Sequence, residues 1–375
     1  MTAPQGAGSE LDGALIRGSV LVIGAGLIGT SVALSLRRAG VDVLIEDVDP
    51  DHLAVAADAG AGRPLAAGDV PGIVVVAVPP RHAADVLADA SRRFPSATLT
   101  DVTSVKSRVV ADALALGADG ARLVGGHPMA GREVSGPAGA RGDLLDDRLW
   151  VVTPLPSNEI EHVRQVHRLV SACGAYPVEM SLDDHDAAVA LVSHAPQVLS
   201  SVLAAQLAGA DDDYVRIAGQ GLRDMTRIAG SNVAMWSDIL AVNAGPVAEV
   251  IQRMADELQD TAAALRALSG PAADGQASAE IERVLASGAS GQRRIPGKHG
   301  AAPSAYLEVT VMLADRPGEL GRLFGAVGEA DVNLEDVRIE HVLGRPSGLV
   351  ALFVRPEVGD RLAEALVRSD FDVRL

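Results

Sequence analysis

Val20-Leu21-Val22-Ile23 runs directly into Gly24-Ala25-Gly26-Leu27-Ile28-Gly29, and a helical pattern then continues to Arg38 and stops at Gly40. A short apolar strand, glycines at G-x-G-x-x-G spacing and a helix start together make the phosphate-cradling turn of a βαβ dinucleotide fold. Gly24 permits the tight turn, Gly26 lets a pyrophosphate approach the backbone, and Gly29 lets the helix pack on the strand. Leu27 and Ile28 open a helix whose free N–H groups face the anion. An acidic residue is expected at the end of the second strand, to bind the adenosine ribose hydroxyls. Glu46 and Asp47 both qualify, and Asp47 is favoured because it stands at the strand–loop junction of Asp47-Val48-Asp49-Pro50. A carboxylate there repels a 2′-phosphate, so NAD is expected rather than NADP.

Working outward, short aliphatic runs recur at Val41–Ile45, Ile73–Val78, Ala97–Thr100 and Leu149–Val152. Near-continuous apolar runs suit strands buried on both faces of a parallel sheet. The spacing predicts an α/β, doubly wound, Rossmann-like domain over residues 18–182, after a loose tail at 1–17. Val78 and Pro79 end one strand at the carboxyl edge, where ligands bind in such sheets. Past Asp183 the strand signal stops. Ala- and Leu-rich helices are expected over 183–208, 212–229 and 232–268, with a kink at Pro196, giving an all-α domain over 183–287. Its broad apolar faces suit burial against a second subunit. Residues 288–305 read as a Gly/Ser/Pro linker carrying Arg293, Arg294 and Lys298. Residues 306–375 alternate as βαββαβ around a turn at Asp315-Arg316-Pro317-Gly318, an order that predicts a small α+β module.

The net charge of −17 argues against nucleic acid, whose phosphates need a basic face. It leaves a small anionic substrate open, because one local Arg can hold a carboxylate inside an acidic protein. The single cysteine, Cys173, excludes an internal disulfide and a thiolate metal cluster, and no His/Asp/Glu spacing calls for a metal. No basic segment leads into an apolar run at the start, and no stretch reaches ~18 uninterrupted apolar residues. A cytoplasmic protein without a membrane segment is expected.

Titratable groups then mark the chemistry. Gly125-Gly126-His127-Pro128-Met129-Ala130-Gly131 fixes an imidazole between glycines and a proline, after a strand at Leu123-Val124. The glycines would let a ligand come close. Neutral imidazole accepts a hydroxyl proton near pH 7, so His127 is the candidate base. Ser104, in Asp101-Val102-Thr103-Ser104-Val105-Lys106, would sit at the same edge or cap the next helix. Arg223 and Arg227 share a helix face, and Asp224 lies between them. Arg227 could clamp a carboxylate with Asp224 orienting it, or the group could be a surface salt-bridge cluster. His194 stands one turn from Gln197 on the kinked helix, as a site group or a core histidine. His185, among Asp183, Asp184 and Asp186, reads as a solvated helix start.

These residues together resemble the TyrA family, the prephenate and arogenate dehydrogenases of tyrosine biosynthesis. The specific motifs are Asp-x-x-Ser-Val-Lys at 101–106, Gly-His-Pro-Met-Ala-Gly at 126–131, and Arg-Asp-x-Thr-Arg-Ile-Ala at 223–229 with Met235-Trp236. The C-terminal unit, with Asp315-Arg316-Pro317-Gly318-Glu319-Leu320, looks like an ACT domain, an amino-acid sensor. The resemblance implies oxidative decarboxylation of prephenate to 4-hydroxyphenylpyruvate. His127 would take the C4 hydroxyl proton as hydride leaves for NAD⁺. Ser104 would bond both the imidazole and that hydroxyl, Arg227 would hold the ring carboxylate, and His194 and Gln197 would face the substrate side chain. It also implies a homodimer through the helical domains and a tyrosine or other amino-acid effector at the ACT domain. Some relatives carry a second His where Gln197 stands, so arogenate is the alternative substrate. A β-hydroxyacid dehydrogenase would need a lysine base on the helical domain, and residues 183–250 contain none. A non-catalytic amino-acid sensor is the remaining alternative, opposed by intact Ser104, His127 and Arg227.

Overall fold

Four βα units, each opened by a short and mostly buried strand, lay down one parallel sheet. In this computed structural model residues 16, 18–131, 134–270, 275–295, 306–341 and 347–374 are described. The elements are β1 (Val20–Ile23), α1 (Leu27–Arg38), β2 (Val43–Glu46), α2 (Pro50–Asp58), β3 (Arg63–Pro64), β4 (Ile73–Val76), α3 (Pro80–Arg93), β5 (Thr98–Asp101) and α4 (Ser107–Ala115). The sheet order is β3-β2-β1-β4-β5, all parallel. Val20, Val22, Val43, Ile45, Ile73 and Val75 face one core, with Val32 and Leu36 of α1. Leu21, Ile23, Leu44, Val74, Val76 and Leu99 face the other, with Leu87 of α3 and Val109 of α4. Burial on both faces is why these runs carry no polar alternation.

Register decides where the site lies. Ile23 pairs with Glu46 and with Val76, and Val76 pairs with Asp101. The strands therefore end level, and Gly24, Asp47, Ala77 and Val102 all begin loops at one carboxyl edge. Gly24 has φ +106°, and a Cβ on it would lie 2.4 Å from the Ala77 carbonyl oxygen. Only glycine fits that turn.

Several expected strands move. The second strand starts at Val43 rather than Val41, and the fifth spans Thr98–Asp101. Leu123 makes only an isolated parallel bridge to Leu99, and the strand proper is β6 (Gly125–Pro128), which contains His127. It pairs antiparallel with β7 (Leu149–Thr153). Past α5 (Ile160–Ala172), β8 (Tyr176–Glu179) pairs parallel with β7. The strand at Leu149 thus belongs to a separate three-stranded sheet and not to the parallel one, because β6 reverses chain direction.

The expected helix over 183–208 is three pieces: α6 (Leu182–Val189), a π-helical turn (Ala190–His194) and α7 (Ala195–Ala205). Pro196 has no N–H to donate and its ring crowds the carbonyl four residues back, so the wide turn just before it absorbs the break. An 18-residue window of this run is apolar enough by hydropathy to cross a bilayer, a test that core helices also pass, and a third of that window is buried. Its polar side chains are nevertheless bonded into the site described below. Next come α8 (Asp212–Arg216), α9 (Gln220–Thr226), a 3₁₀ turn (Arg227–Gly230), α10 (Val233–Val242) and α11 (Ala244–Leu268). No residue of α8, α9 or the 3₁₀ turn is buried, and Tyr214, Ile217, Met225, Val233 and Met235 are exposed.

The chain packs as two units, Met1–Met254 and Ala255–Leu375. The second holds the rest of α11, α12 (Gly275–Gln292) and a βαββαβ module. α12 corrects the start of the expected linker. Gly288 and Gly291 each cost a helix only about 1 kcal/mol against Ala, which their helical context absorbs. Lys298 and residues 296–305 lie outside the described residues, as does nearly all of the expected tail. The module comprises β9 (Leu307–Ala314), α13 (Glu319–Glu329), β10 (Asp336–His341), β11 (Ser347–Val354), α14 (Pro356–Arg368) and β12 (Asp372–Arg374). Its antiparallel sheet has the order β10-β11-β9-β12. Both helices cover the face formed by Val309, Val311, Val350 and Leu352.

Candidate active site

His127 sits on β6, beside the loop that leaves β5. The glycines before it do not open space for a ligand, as their sequence suggested. A Cβ on Gly126 would lie 2.8 Å from both the Asp101 carbonyl oxygen and Trp150 Nε1, and one on Gly125 would lie 2.4 Å from Thr153 Oγ1. They let the strand press against β5 and β7, which fixes the height of the imidazole.

A buried ion pair locks the same contact. Lys106 and Asp101 are both fully buried and bonded to each other. Lys106 Nζ also donates to the Gly126 carbonyl at 2.7 Å and to Thr103 Oγ1 at 3.0 Å. Asp101 accepts from the Gly126 N–H at 3.2 Å and from the Thr103 N–H at 2.9 Å. Burial pushes the Lys106 ammonium below its ordinary range, and the Asp101 carboxylate opposes that shift. The β5–α4 loop and the residue before His127 are thereby one rigid body.

His127 Nδ1 lies 2.8 Å from His185 Nε2, and His185 Nδ1 lies 2.8 Å from Asp186 Oδ1. Asp186 also accepts the backbone N–H groups of Lys106 and Ser107, each at 2.8 Å, and so caps α4 from another element. Burial alone would raise the Asp186 carboxyl, but the bonds from His185, Lys106 and Ser107 outweigh it and hold it low. A carboxylate only accepts, so His185 carries its proton on Nδ1 and accepts on Nε2. His127 must then donate from Nδ1, which leaves the lone pair on its Nε2. Loss of hydration pushes the His127 imidazole well below its ordinary value, and His185, Lys106 and His194 push the same way. His127 is a neutral acceptor at pH 7, with tautomer and orientation both set.

The network continues into the helical region. Asn243 donates through Nδ2 to the Asp186 carbonyl and to His194 Nδ1, both at 3.0 Å. His194 therefore bears its hydrogen on Nε2. Burial pushes it down to about 4, partly opposed by Asp186. It packs edge-on to Trp236 at 6.0 Å between ring centres. One turn later, Gln197 Nε2 donates to the Ile228 carbonyl at 3.0 Å.

At the sheet edge, Gly26 caps α1 without a side-chain bond, and no atom lies within 4 Å of where its Cβ would be. Asp47 bonds back onto the glycine turn through the Ala25 N–H and accepts the Asp49 N–H at 2.8 Å. Glu46 is instead occupied by Arg93, at 2.7 and 3.0 Å. Val78 lies beside Gly24, and Pro79 caps α3. An open phosphate cradle with a carboxylate at its rim fits a dinucleotide.

Two family models match the chain: the prephenate dehydrogenase nucleotide-binding domain over residues 32–179, and the prephenate dehydrogenase dimerization domain over residues 181–276. A probable prephenate dehydrogenase of Streptomyces niveus is 35% identical, over 93% of this chain and 98% of its own. The chain belongs to the prephenate dehydrogenase family. Among solved members, the A. aeolicus prephenate dehydrogenase in complex with hydroxyphenyl propionate and NAD⁺ superposes with a TM-score of 0.65 at 27% identity, covering 74% of this chain and 99% of that one. A Synechocystis arogenate dehydrogenase shares the fold, with a TM-score of 0.61 at 24% identity over 73% of this chain and 98% of its own.

Set in this prephenate dehydrogenase framework, the expected residues divide. His127 and His194 join one network through His185, Asp186 and Asn243. Ser104 lies half-buried in the β5–α4 loop, where Lys106 and not Ser104 is the helix cap. The expected Ser104–His127 bond is not among the hydrogen bonds of His127, whose Nδ1 is taken by His185. Arg227 is exposed on the 3₁₀ turn, and Asp224 accepts from Gln220 at 2.8 Å. Gln197 spends its donor on that turn. Sequence reasoning missed His185, which is wholly buried. Leu182, His185 and Val189 share one helix face at i, i+3, i+7, and that periodicity placed His185 inward despite its acidic neighbours.

Proposed function

We propose that this chain catalyses the NAD-dependent oxidative decarboxylation of prephenate to 4-hydroxyphenylpyruvate. The observation that carries the reading is the imidazole of His127, held neutral with its Nε2 lone pair available, in a chain of this family. Gly24, Gly26, Leu27, Ile28 and Gly29 would hold the pyrophosphate, Asp47 the ribose, and Val78 and Pro79 the rim of the nicotinamide half. Bound NAD⁺ supplies the acceptor for the hydride that leaves ring C4.

His127 Nε2 takes the C4 hydroxyl proton, which drives the oxygen toward a carbonyl. Ser104, on the adjoining loop, donates to that oxygen. Arg227 holds the ring carboxylate until it departs as CO₂, and Gln197 fixes the turn carrying Arg227. Asp224 shapes the same surface through α9. Aromatisation of the ring makes the step irreversible. His194 presents Nε2–H toward the substrate side chain, and a donor suits a 2-oxo group better than the ammonium of arogenate.

The family match to a dimerization domain supports a homodimer closed over the exposed apolar residues of α8 to α10. The segments proposed are a nucleotide domain to residue 182, a helical domain to 287 and an ACT-like module from 306. An amino-acid effector at Asp315–Leu320 is proposed on that sequence. The adjoining cavity, about 70 Å³, is far below the roughly 300–1,000 Å³ of small-molecule sites, so a second copy would have to complete it. A cytoplasmic location is proposed on the same family grounds.

NADH formation with prephenate and with arogenate, each with NAD⁺ and NADP⁺, tests the reading. Turnover with prephenate and NAD⁺ supports it, turnover with arogenate alone transfers the mechanism to that substrate, and silence with both rejects it. Adding tyrosine to the active assay tests the effector: unaltered rates would reject it.

A further inference from the structure

His127 does not touch the carboxylate that anchors it. His185 stands between, wholly buried, with one ring nitrogen on each neighbour. The two rings meet edge to face, with centres 5.1 Å apart and planes at 73°. A residue needed only to orient His127 could be any side chain with one acceptor and one donor at that spacing. An imidazole adds the capacity to take a proton on the side facing His127.

We infer that His185 is a positioning residue that also receives a proton, so that the base is a two-imidazole unit ended by Asp186. The inference rests on His127 acting as the base in the reaction above. As the substrate O–H bond breaks, a new N–H bond forms at His127 Nε2. The Nδ1–H bond of His127 then breaks, and an N–H bond forms at His185 Nε2. His185 becomes an imidazolium beside the Asp186 carboxylate, and no electrons change hands. The reverse shift, with release from His127 Nε2 to water, resets the unit.

The surroundings favour this placement. The groups facing the pair are Lys106 and Asp101 from the β5–α4 segment, Asp186 from α6, His194 from the π-helical turn and Asn243 after α10. The Lys106 ammonium is held against Asp101 and against the carbonyl that precedes His127, so a positive charge left on His127 is opposed there. A positive charge on His185 instead meets Asp186 at 2.8 Å. Two rings sharing one proton titrate as a unit, not as separate sites.

His185→Gln separates relay from orientation. Its amide oxygen can accept from His127 Nδ1–H and its NH₂ can donate to Asp186, but it cannot accept and pass on a proton. With prephenate and NAD⁺, the relay predicts kcat lower by roughly tenfold or more, KM nearly unchanged, and an acidic limb of the pH profile displaced downward by about one unit. A Gln variant with the wild-type plateau and limb, beside an impaired His185→Leu, would show that orientation alone matters and would overturn the inference. Nitrogen-15 NMR of the histidines reads the same question without turnover. One proton uptake spread over both rings in the wild type, confined to His127 in the Gln variant, supports the relay. Independent titrations of the two rings would overturn it, and they would do so whether or not prephenate proves to be the substrate.

Discussion

Gln197 and Ile228 are joined by a 3.0 Å hydrogen bond that ties α7 to the turn bearing Arg227. The turn itself contributes no buried residue, and this bond is one restraint on its position, beside the Ser231 Oγ donation to the same carbonyl at 2.7 Å. Gln197→Ala removes the bond to α7. A net hydrogen bond is worth about 1 kcal/mol, or roughly fivefold. KM for prephenate should therefore rise by about that factor, with kcat near normal. Arg227→Ala should raise KM further, by roughly 10- to 100-fold, as a charge-assisted contact is lost. If Gln197→Ala leaves KM unchanged, the turn is held by other contacts. If Arg227→Ala leaves it unchanged, the carboxylate is bound elsewhere.

His127→Asn keeps a hydrogen-bonding side chain and removes the proton acceptor. Loss of a general base should lower kcat by about 10²–10⁴-fold, while NAD⁺ affinity stays near normal because the glycine turn is untouched. Single-turnover kinetics with a separate NAD⁺ titration would check both halves. Undiminished turnover would remove His127 from the chemistry.

Lys106 is a stability residue as well as a spacer. Lys106→Met strips the partner from a fully buried carboxylate and leaves the Gly126 carbonyl unbonded. Breaking a buried pair on one side costs about 3–5 kcal/mol. Denaturant unfolding should show a loss of that order, and Lys106→Met combined with Asp101→Asn should recover part of it, because no buried charge is then stranded. A double variant less stable than the sum of the two single ones would contradict this account.

The site histidines make stability pH-dependent in one direction. His194 titrates near 4 in the fold against about 6.5 in an unfolded chain, and His127 is displaced the same way. The unfolded state therefore binds more protons below pH 6.5. Stability contributed by keeping these rings neutral is complete above that pH and declines as pH falls toward 4. The melting temperature should begin to drop below about pH 6.5, and His194→Asn should flatten part of the decline. A flat melting temperature across that window would show that the rings are hydrated in the fold.

Much of this arrangement was legible in the chain. The strand–glycine–helix order at Val20–Gly29 gave the parallel sheet, and alternation from Leu307 gave the βαββαβ module. The failures share a cause: they are decided by contacts distant in sequence. His185 and Asp186 look solvated beside Asp183 and Asp184, and only packing on the Lys106 loop buries them. Gly125 and Gly126 look like a ligand approach, but they serve Trp150 and Thr153, met from a strand more than twenty residues on. Asn243 carries no local signal, since its role is to hold Asp186 and His194 from the far end of α10. Gln197 reads from the chain only as one turn from His194, and the use of its donor is decided by the Ile228 carbonyl, thirty-one residues away.

Asp47 offers a last discrimination, between adjacent acids. Its carboxylate lies on the glycine turn, whereas the neighbouring Glu46 is paired with Arg93. Asp47→Ser removes the charge that would bind the ribose hydroxyls and repel a 2′-phosphate. NAD⁺ affinity should fall by roughly 10- to 100-fold, the size of a lost charge-assisted bond, and the preference over NADP⁺ should narrow because the repulsion goes with it. Glu46→Gln should leave both affinities close to wild type, since that side chain faces Arg93. Fluorescence titration of the three proteins with NADH and NADPH reads all four expectations together. Loss of NAD⁺ binding in Glu46→Gln, with Asp47→Ser unaffected, would reverse the assignment and place the ribose on the Arg93 side of the strand end.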